Sequence, residues 1–250
     1  MIRRLAEDSN AWQPLGPGET RIETDRFVLW LGRGEEPGWN VAQRLRLRGE
    51  DLAATVEEVR GLVSARGRRG CQWEVSSSAT PADLGERLGA FGIVPDREPF
   101  AVGMVLTEPP PPGPAAVVVR LAETPEDRLV HRRIAWTAFE MPGDPSEPVP
   151  EPSAHGASYL AEIDGEPVAA GSATFTEWGV IMNGGSTLPE ARGRGAYRAL
   201  VAARWADAAA RGTPALVTQA GAMSRPILER LGFRGVAEIR IYLDEFGRRD

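Results

Sequence analysis

The sequence predicts an α/β protein with a mixed sheet, arranged as two tandem domains of like topology. Three observations predict this. Strand and helix patterns alternate through residues 116–250, a proline-rich break falls near mid-chain, and the order of elements before the break repeats the order that closes the chain. Composition sets the limits. The 250 residues are 42% hydrophobic and 26% charged, with 29 basic and 35 acidic side chains and a formal charge of −6, which suits a globular chain long enough to bury two cores. A single cysteine, Cys71, excludes a disulfide framework, and two histidines, His131 and His155, leave few ligands for a metal cage. Every basic residue is arginine, so lysine chemistry is excluded. The acidic balance argues against nucleic-acid binding. No apolar run approaches the roughly 20 residues of a membrane span, and Met1 to Asp8 breaks into charge too early for a secretion signal. The expectation is a cytoplasmic protein that binds neither membrane nor nucleic acid.

The break is Glu108 to Pro114, where the prolines lack amide donors and favour an extended polyproline form. It divides the chain into residues 1–108, a linker at 109–115 and residues 116–250. After it, Ala116 to Leu121 predicts a strand, and Thr124-Pro125-Glu126 opens a helix running to about Met141, with proline at the first position and an acid in the first turn. Five prolines between Pro142 and Pro152 then forbid regular structure. Ser158 to Ile163 and Pro167 to Phe175 flank Asp164-Gly165, a hairpin signal. A third strand spans Val180 to Leu188. Next comes a helix whose Leu200, Val201, Trp205 and Ala208 form one apolar stripe, stopped by Gly212. A short strand, Ala215 to Ala220, leads to a helix capped by Ser224 and closed by Gly232. The last strand alternates, with Ala237, Ile239, Ile241 and Leu243 on one face and Glu238, Arg240 and Tyr242 on the other.

The first half shows strands at Phe27 to Gly32 and Asn40 to Leu47, then a helix with Leu52, Val56, Val59 and Val63 on one stripe. The strand Cys71 to Val75 and a helix at Leu84 to Gly92 lead to an alternating strand. This is the closing order of the second half. Leu84 to Gly92 also resembles Ile227 to Phe233 in sequence.

The segment that carries chemistry is Arg192-Gly193-Arg194-Gly195, set between a strand and a helix. Glycines let backbone approach an anion, and a helix start offers free N–H groups and positive dipole. With 29 arginines and 28 glycines in 250 residues, an Arg-x-x-Gly spacing arises by chance about three times, so its context is what counts. The turn lacks the Gly-Lys-Ser/Thr of a nucleotide triphosphatase.

In that context residues 117–244 resemble the GCN5-related N-acetyltransferase (GNAT) family. Pro189 to Ala196 and Leu228-Glu229-Arg230-Leu231-Gly232-Phe233 carry most of the likeness. The resemblance implies two tandem acyl-CoA N-acyltransferase-like domains. It also implies acetyl-CoA as cofactor and direct attack of a primary amine of a small molecule or peptide on the thioester. The amides of Gly193, Arg194, Gly195, Ala196 and Tyr197, with Arg192, would hold the pyrophosphate. Gly185, Ser186 and Thr187 would pair with the pantetheine arm like an added strand. A backbone amide of that strand would stabilise the oxyanion.

Two departures matter. Position 197 is tyrosine where the family has a small residue, placing a ring either against the cofactor or in the acceptor pocket. Position 228 is leucine where the family often has the tyrosine that protonates the departing thiolate. Tyr197 and Ser224 are the candidates to replace that acid, and Ser224 equally reads as a plain helix cap. Glu177 and Glu140 are candidate bases acting through water, and each also reads as solvated surface. His131 and His155 read as surface or packing residues, and Trp178 as cover for a turn. Asp144, Glu147 and Glu151 either wall an acceptor site that favours a cation or are simply solvated. Nothing suggests a metal site. The first half reads Arg48-Gly49-Glu50-Asp51-Leu52 where its turn would lie, so two carboxylates occupy the helix start. It resembles a degenerate copy, suited to packing, shaping the acceptor cleft or forming a dimer surface. The alternative function is a non-catalytic acyl-CoA-binding regulatory module.

Overall fold

The computed structural model describes residues 1–146, 149 and 153–246. The chain opens with two short helices, α1 (Ile2–Glu7) and α2 (Ser9–Trp12). The first half continues with strands β1 (Thr20–Glu23), β2 (Val28–Leu31) and β3 (Asn40–Gln43), helix α3 (Leu52–Ser64), β4 (Gly70–Ser76), α4 (Leu84–Leu88) and β5 (Val94–Leu106). The second half holds β6 (Val117–Leu121), α5 (Pro125–Ala138), β7 (Gly156–Ile163), β8 (Glu166–Phe175) and β9 (Val180–Thr187), then α6 (Ala196–Ala210), β10 (Leu216–Ala220), α7 (Arg225–Arg230) and β11 (Arg234–Glu245). The punctuation read from sequence holds at these points. Thr124 caps α5 by accepting from the Asp127 amide at 3.0 Å, Asp164 and Gly165 take positive φ in the β7–β8 hairpin, and Gly212 and Gly232 turn left-handed after their helices.

The eleven strands of the described residues form one sheet, in the order β1-β2-β3-β4-β11-β5-β10-β9-β8-β7-β6. Every neighbour is antiparallel except β3–β4 and β9–β10. The order is nearly a palindrome: β1-β2-β3-α3-β4-α4-β5 repeats as β7-β8-β9-α6-β10-α7-β11, and the repeats meet at β11 and β5. There the closing strands change places. The final strand of the first half, β5, pairs with β10, and the final strand of the chain, β11, pairs with β4 along seven residues.

This exchange carries side chains across with it. Met104 and Leu106 of β5 join the core built on α6, with Tyr159, Met182, Leu200, Trp205 and Phe233. Tyr242 of β11 joins the core built on α3, with Phe27, Val56, Val59, Trp73 and Leu88. Asp244, fully buried, accepts three hydrogen bonds from the Arg60 guanidinium at 2.8–3.2 Å and one from the Trp73 indole at 3.4 Å. The expected face for Tyr242 is therefore corrected. Beyond a register shift at Arg240/Tyr242 the inward positions become Tyr242 and Asp244, because β11 has by then crossed into the other half's core.

The proline segment does not divide the sheet, and it is not a free tether. Gly113 lies against Ala199, where an added Cβ would stand 2.7 Å from the Ala199 Cβ, and the Pro114 ring occupies the space beside Gly195. Helix α1 was not read from sequence. It packs Leu5 and Ala6 on Val105, Ile181 and Val217, with Trp12 and Trp178 edge to face at 5.8 Å. Below it Glu7, Asp8 and Glu74 are all buried. Glu7 Oε1 accepts from the Ser78 amide at 3.0 Å, and Gln219 Nε2 donates to Glu74 Oε2 at 3.1 Å and to the Glu7 carbonyl at 3.2 Å. Burial, with Glu7 beside it, pushes the Asp8 carboxyl up to about 7, and burial likewise raises Glu74. Among the described residues no helix is long and apolar enough to cross a membrane.

Candidate functional site

The site lies where two parallel strands part. β9 and β10 pair only at Val180↔Leu216 and Ile181↔Val217, and a bond from Thr218 Oγ1 to the Met182 carbonyl at 3.2 Å is the last tie. From there β10 stays with β5 as far as Ala220↔Val102, while β9 stays with β8. A bulge sharpens the split. Ser172 faces Asn183 and Ala170 faces Ser186, so β9 spends three steps where β8 spends two, and Gly184 absorbs the extra residue with φ +57°. From Asn183 to Thr187 the inner edge of β9 has no strand neighbour among the described residues.

The Arg/Gly turn stands at the same end. Gly193 (φ +79°) and Gly195 (φ +86°) adopt the left-handed region, and α6 starts from Gly195 with no side-chain cap. Among the described residues the amides of Gly193, Gly195, Ala196, Tyr197 and Arg198 have no hydrogen-bond acceptor; that of Arg194 reaches the Ala191 carbonyl at 3.4 Å. A helix start with five free amides attracts an anion. An added Cβ at Gly193 would meet open space, whereas at Gly195 it would meet the Pro114 ring. The need for glycine at 195 thus comes from the linker as well as from backbone conformation. Arg192 is spent on structure, donating to the Thr187 carbonyl and the Ala138 carbonyl at 3.4 Å each, which ties the turn to β9 and to the end of α5. Arg194 reaches Asp164 at 3.6 Å, both exposed.

The Tyr197 ring is turned onto β9. An added Cβ at Gly185 would stand 2.5 Å from its Cε2, and the phenol, raised by burial, has no hydrogen-bond partner among the described residues. Ser186 is buried, and its hydroxyl donates to the Ala170 carbonyl at 3.4 Å, so only its backbone belongs to the free edge. Thr187 is half-buried at the end of that edge. Leu228 is buried in the α6 core.

Other candidates are placed elsewhere. Glu177 is exposed in the β8–β9 turn, six residues before Asn183 and about 20 Å from it along extended chain. Ser224 holds the N-cap position of α7 but makes no side-chain cap; its hydroxyl turns back to the Gly221 carbonyl at 3.4 Å. Glu140 is exposed just beyond α5, with φ +52°. His131 meets the Ser172 hydroxyl at 3.3 Å and is lowered by burial. His155 is exposed, and its carbonyl accepts from the Phe175 amide at 2.7 Å. Asp144 binds the Ser146 amide and hydroxyl. Glu147 and Glu151 lie outside the described residues. Among the described residues no group of His, Cys, Asp or Glu side chains is placed to hold a metal ion.

The first half repeats the parting of strands but closes it. β3 and β4 pair in parallel at Val41↔Gln72 and Ala42↔Trp73, and Arg44 turns left-handed at φ +51°. The chain beyond β4 then returns into the opening. The Thr80 amide donates to the Leu45 carbonyl at 3.2 Å, and the Leu47 amide donates to the Thr80 carbonyl at 3.0 Å. The helix start is also satisfied from within, as Glu50 and Asp51 occupy its first turn and Asp51 accepts from the Arg48 amide at 3.3 Å.

No family model and no curated protein matches the sequence. Solved structures do match it. A GCN5-related N-acetyltransferase from Kribbella flavida superposes with a TM-score of 0.71 at 21% identity, covering 99% of this chain and 96% of that one. A tandem GNAT protein from the clavulanic acid biosynthesis pathway gives 0.60 at 15% identity, over 100% and 89% of the two chains. A GCN5-related N-acetyltransferase from Sphaerobacter thermophilus gives 0.58 at 18%, over 96% and 85%. The chain therefore has the fold of the GCN5-related N-acetyltransferases in tandem form, as its sequence leads one to expect.

Proposed function

We propose that the second half, residues 116–250, is an acetyl-CoA-dependent N-acetyltransferase acting on a primary amine of a small molecule or peptide. On this reading the first half, residues 1–108, is a copy without a cofactor site. The contrast between the two partings of the sheet carries the proposal: Thr80 closes the first, and the second keeps a free strand edge beside five free amides. An extended amide-bearing arm suits that edge as an added strand, and a diphosphate suits the helix start. Acyl-CoA fits both and supplies the thioester. The amides of Gly193 and of Gly195 to Arg198 would hold the diphosphate, the edge from Gly185 to Thr187 would align the arm, and Tyr197 would lie beside it as the proton donor. The acceptor amine then attacks from the opposite side of the sheet within one ternary complex.

A second reading is favoured by one observation, the buried Leu228 in place of an acid. A module that binds acyl-CoA without turnover would show the same cradle and edge. Thiol release from acetyl-CoA across a panel of primary amines separates the two. Release with some amine is expected, saturable binding with no release on any amine would leave the sensor, and no stabilisation by CoA at all would overturn both.

A further inference from the structure

Arg204 is the residue for which neither the fold nor the cradle accounts. It is fully buried on α6, seven residues after Tyr197 and hence on the same helix face. Its side chain runs back toward the helix start. Nε donates to the Leu200 carbonyl at 3.0 Å and Nη1 to the Ser172 carbonyl at 3.3 Å, and Nη2 is buried with no acceptor. No carboxylate pairs with it among the described residues. Room for it exists because residue 171 is glycine, where a Cβ would stand 3.2–3.4 Å from the guanidinium. A buried cation with an idle donor is costly to keep as packing alone.

Arg204 lies on Gly171 and the Tyr197 ring on Gly185. These glycines face each other in the bulge between the pairs Ala170↔Ser186 and Ser172↔Asn183, so the guanidinium and this phenol share one end of the β8–β9 ladder. Tyr159 is the other phenol near the guanidinium. Tyr159 is already engaged, donating its hydroxyl to Asp207 Oδ2 at 2.5 Å. Tyr197 has no such partner, and it is the phenol that lies on Gly185 at the open edge of β9. No hydrogen bond joins Arg204 and Tyr197 in this structure, so the guanidinium acts on the phenol through its charge.

We propose that Arg204 is a positioning residue for Tyr197, a buried cation beside the parted strands that stabilises the phenolate formed when the Tyr197 hydroxyl gives up its proton. The proposal rests on the acyl-transfer reading. The amine nitrogen bonds the carbonyl carbon, the C–S bond breaks with its electron pair on sulfur, and sulfur takes the Tyr197 proton. The proton lost by nitrogen returns to the phenolate, so the residue is regenerated. Arg204 touches none of the reacting atoms and acts through Tyr197.

The test is a double-mutant cycle of Arg204→Met and Tyr197→Phe in the full chain. Arg204→Met is expected to lower kcat about tenfold or more, to leave the affinity for CoA within twofold, and to have less than a twofold effect once Tyr197 is phenylalanine. Equal losses in both backgrounds would show a structural role and overturn the proposal. A second measurement needs no turnover. With only three tyrosines in the chain, the ultraviolet titration of Tyr197 is the difference between each protein and its Tyr197→Phe partner. Arg204→Met should move that titration upward by about half a pH unit or more. Tyr159 and His131, which also lie near the guanidinium, and Asp207, which holds the Tyr159 hydroxyl, are present in both members of each pair. An unmoved titration overturns the proposal even in an active enzyme, and a shifted titration without turnover sinks the acyl-transfer reading alone. Should Arg204→Met not fold, Arg204→Gln keeps a donor for the Leu200 carbonyl while losing the charge and the bond to the Ser172 carbonyl, and the same outcomes apply.

Discussion

Replacing Asp244 with alanine should destabilise both halves together by about 3 kcal/mol. The carboxylate is fully buried and takes three bonds from Arg60 and one from Trp73. Removing one member of a buried ion pair costs about 3–5 kcal/mol, because its partner keeps its charge without compensation. Two details place the value at the lower end: the Arg60 side chain is 23% exposed and regains some hydration, and it retains its bond to the Phe91 carbonyl at 2.8 Å. The Trp73 indole N–H, fully buried, loses its acceptor. Urea unfolding followed by tryptophan fluorescence and by helical circular dichroism checks this, since Trp30, Trp39 and Trp73 report the first half and Trp136 and Trp205 the second. Both signals should shift to lower urea in one common transition. A change under about 1 kcal/mol, or a first half that melts separately while the second stands, would refute the claim that β11 locks the two halves.

Other consequences follow from the site and its surroundings. Gly193→Glu places a carboxylate in open space at the helix start, and it should weaken CoA binding at least about tenfold by calorimetry while costing only the left-handed backbone, about 1 kcal/mol. Gly195 is a poorer probe, since its substitution also displaces Pro114. Gly113→Val should lift the proline segment from Ala199 and lower the thermal midpoint, at a cost of about 1–3 kcal/mol. For Asp8 the sign runs through proton binding. Its carboxyl stands near 7 in the folded chain, so the folded form holds the proton more tightly than the unfolded one. That contribution is complete below the ordinary carboxylate range near pH 4 and is lost as pH rises through 7. Asp8→Asn, still faced by Glu7, Glu74, Arg46 and the Arg44 amide, should therefore flatten the fall in stability between pH 4 and 7, read as midpoint urea concentration against pH.

Much of this molecule was legible because local rules and tertiary context agree. The stripe of α6, the caps at Thr124 and Gly212, and the Asp164-Gly165 hairpin each follow from side-chain period or turn chemistry, and packing leaves them as read. The position of the Arg/Gly turn between β9 and α6 was legible in the same way, with both glycines left-handed. What escaped depends on residues distant in sequence. Nothing in β11 announces that Tyr242 and Asp244 serve the other half; Asp244 within an alternating strand was the available hint. Thr80 gives no local sign that it fills the first opening. The strand from Val180 to Leu188 reads as unbroken, yet it bulges at Gly184, and the side chain seated on Gly185 comes from α6. Nothing local in α6 announces that Arg204 is buried, since the room for it comes from Gly171 on β8. That Glu177 stands at the far end of the hairpin from Asn183 is likewise hidden, because only the direction of β9 tells which end meets the Arg/Gly turn.

The crossing of β5 and β11 has a consequence for synthesis. A ribosome delivers the chain in order, and domains generally fold as units as they emerge. Here the first half cannot fill the gap between β4 and β5 until the final twelve residues of regular structure have left the exit tunnel. Until then β4 exposes a bare edge, which is open to pairing with other nascent chains. Translation that stalls before residue 234 would thus release a protein unfinished at both ends, although only one end is missing.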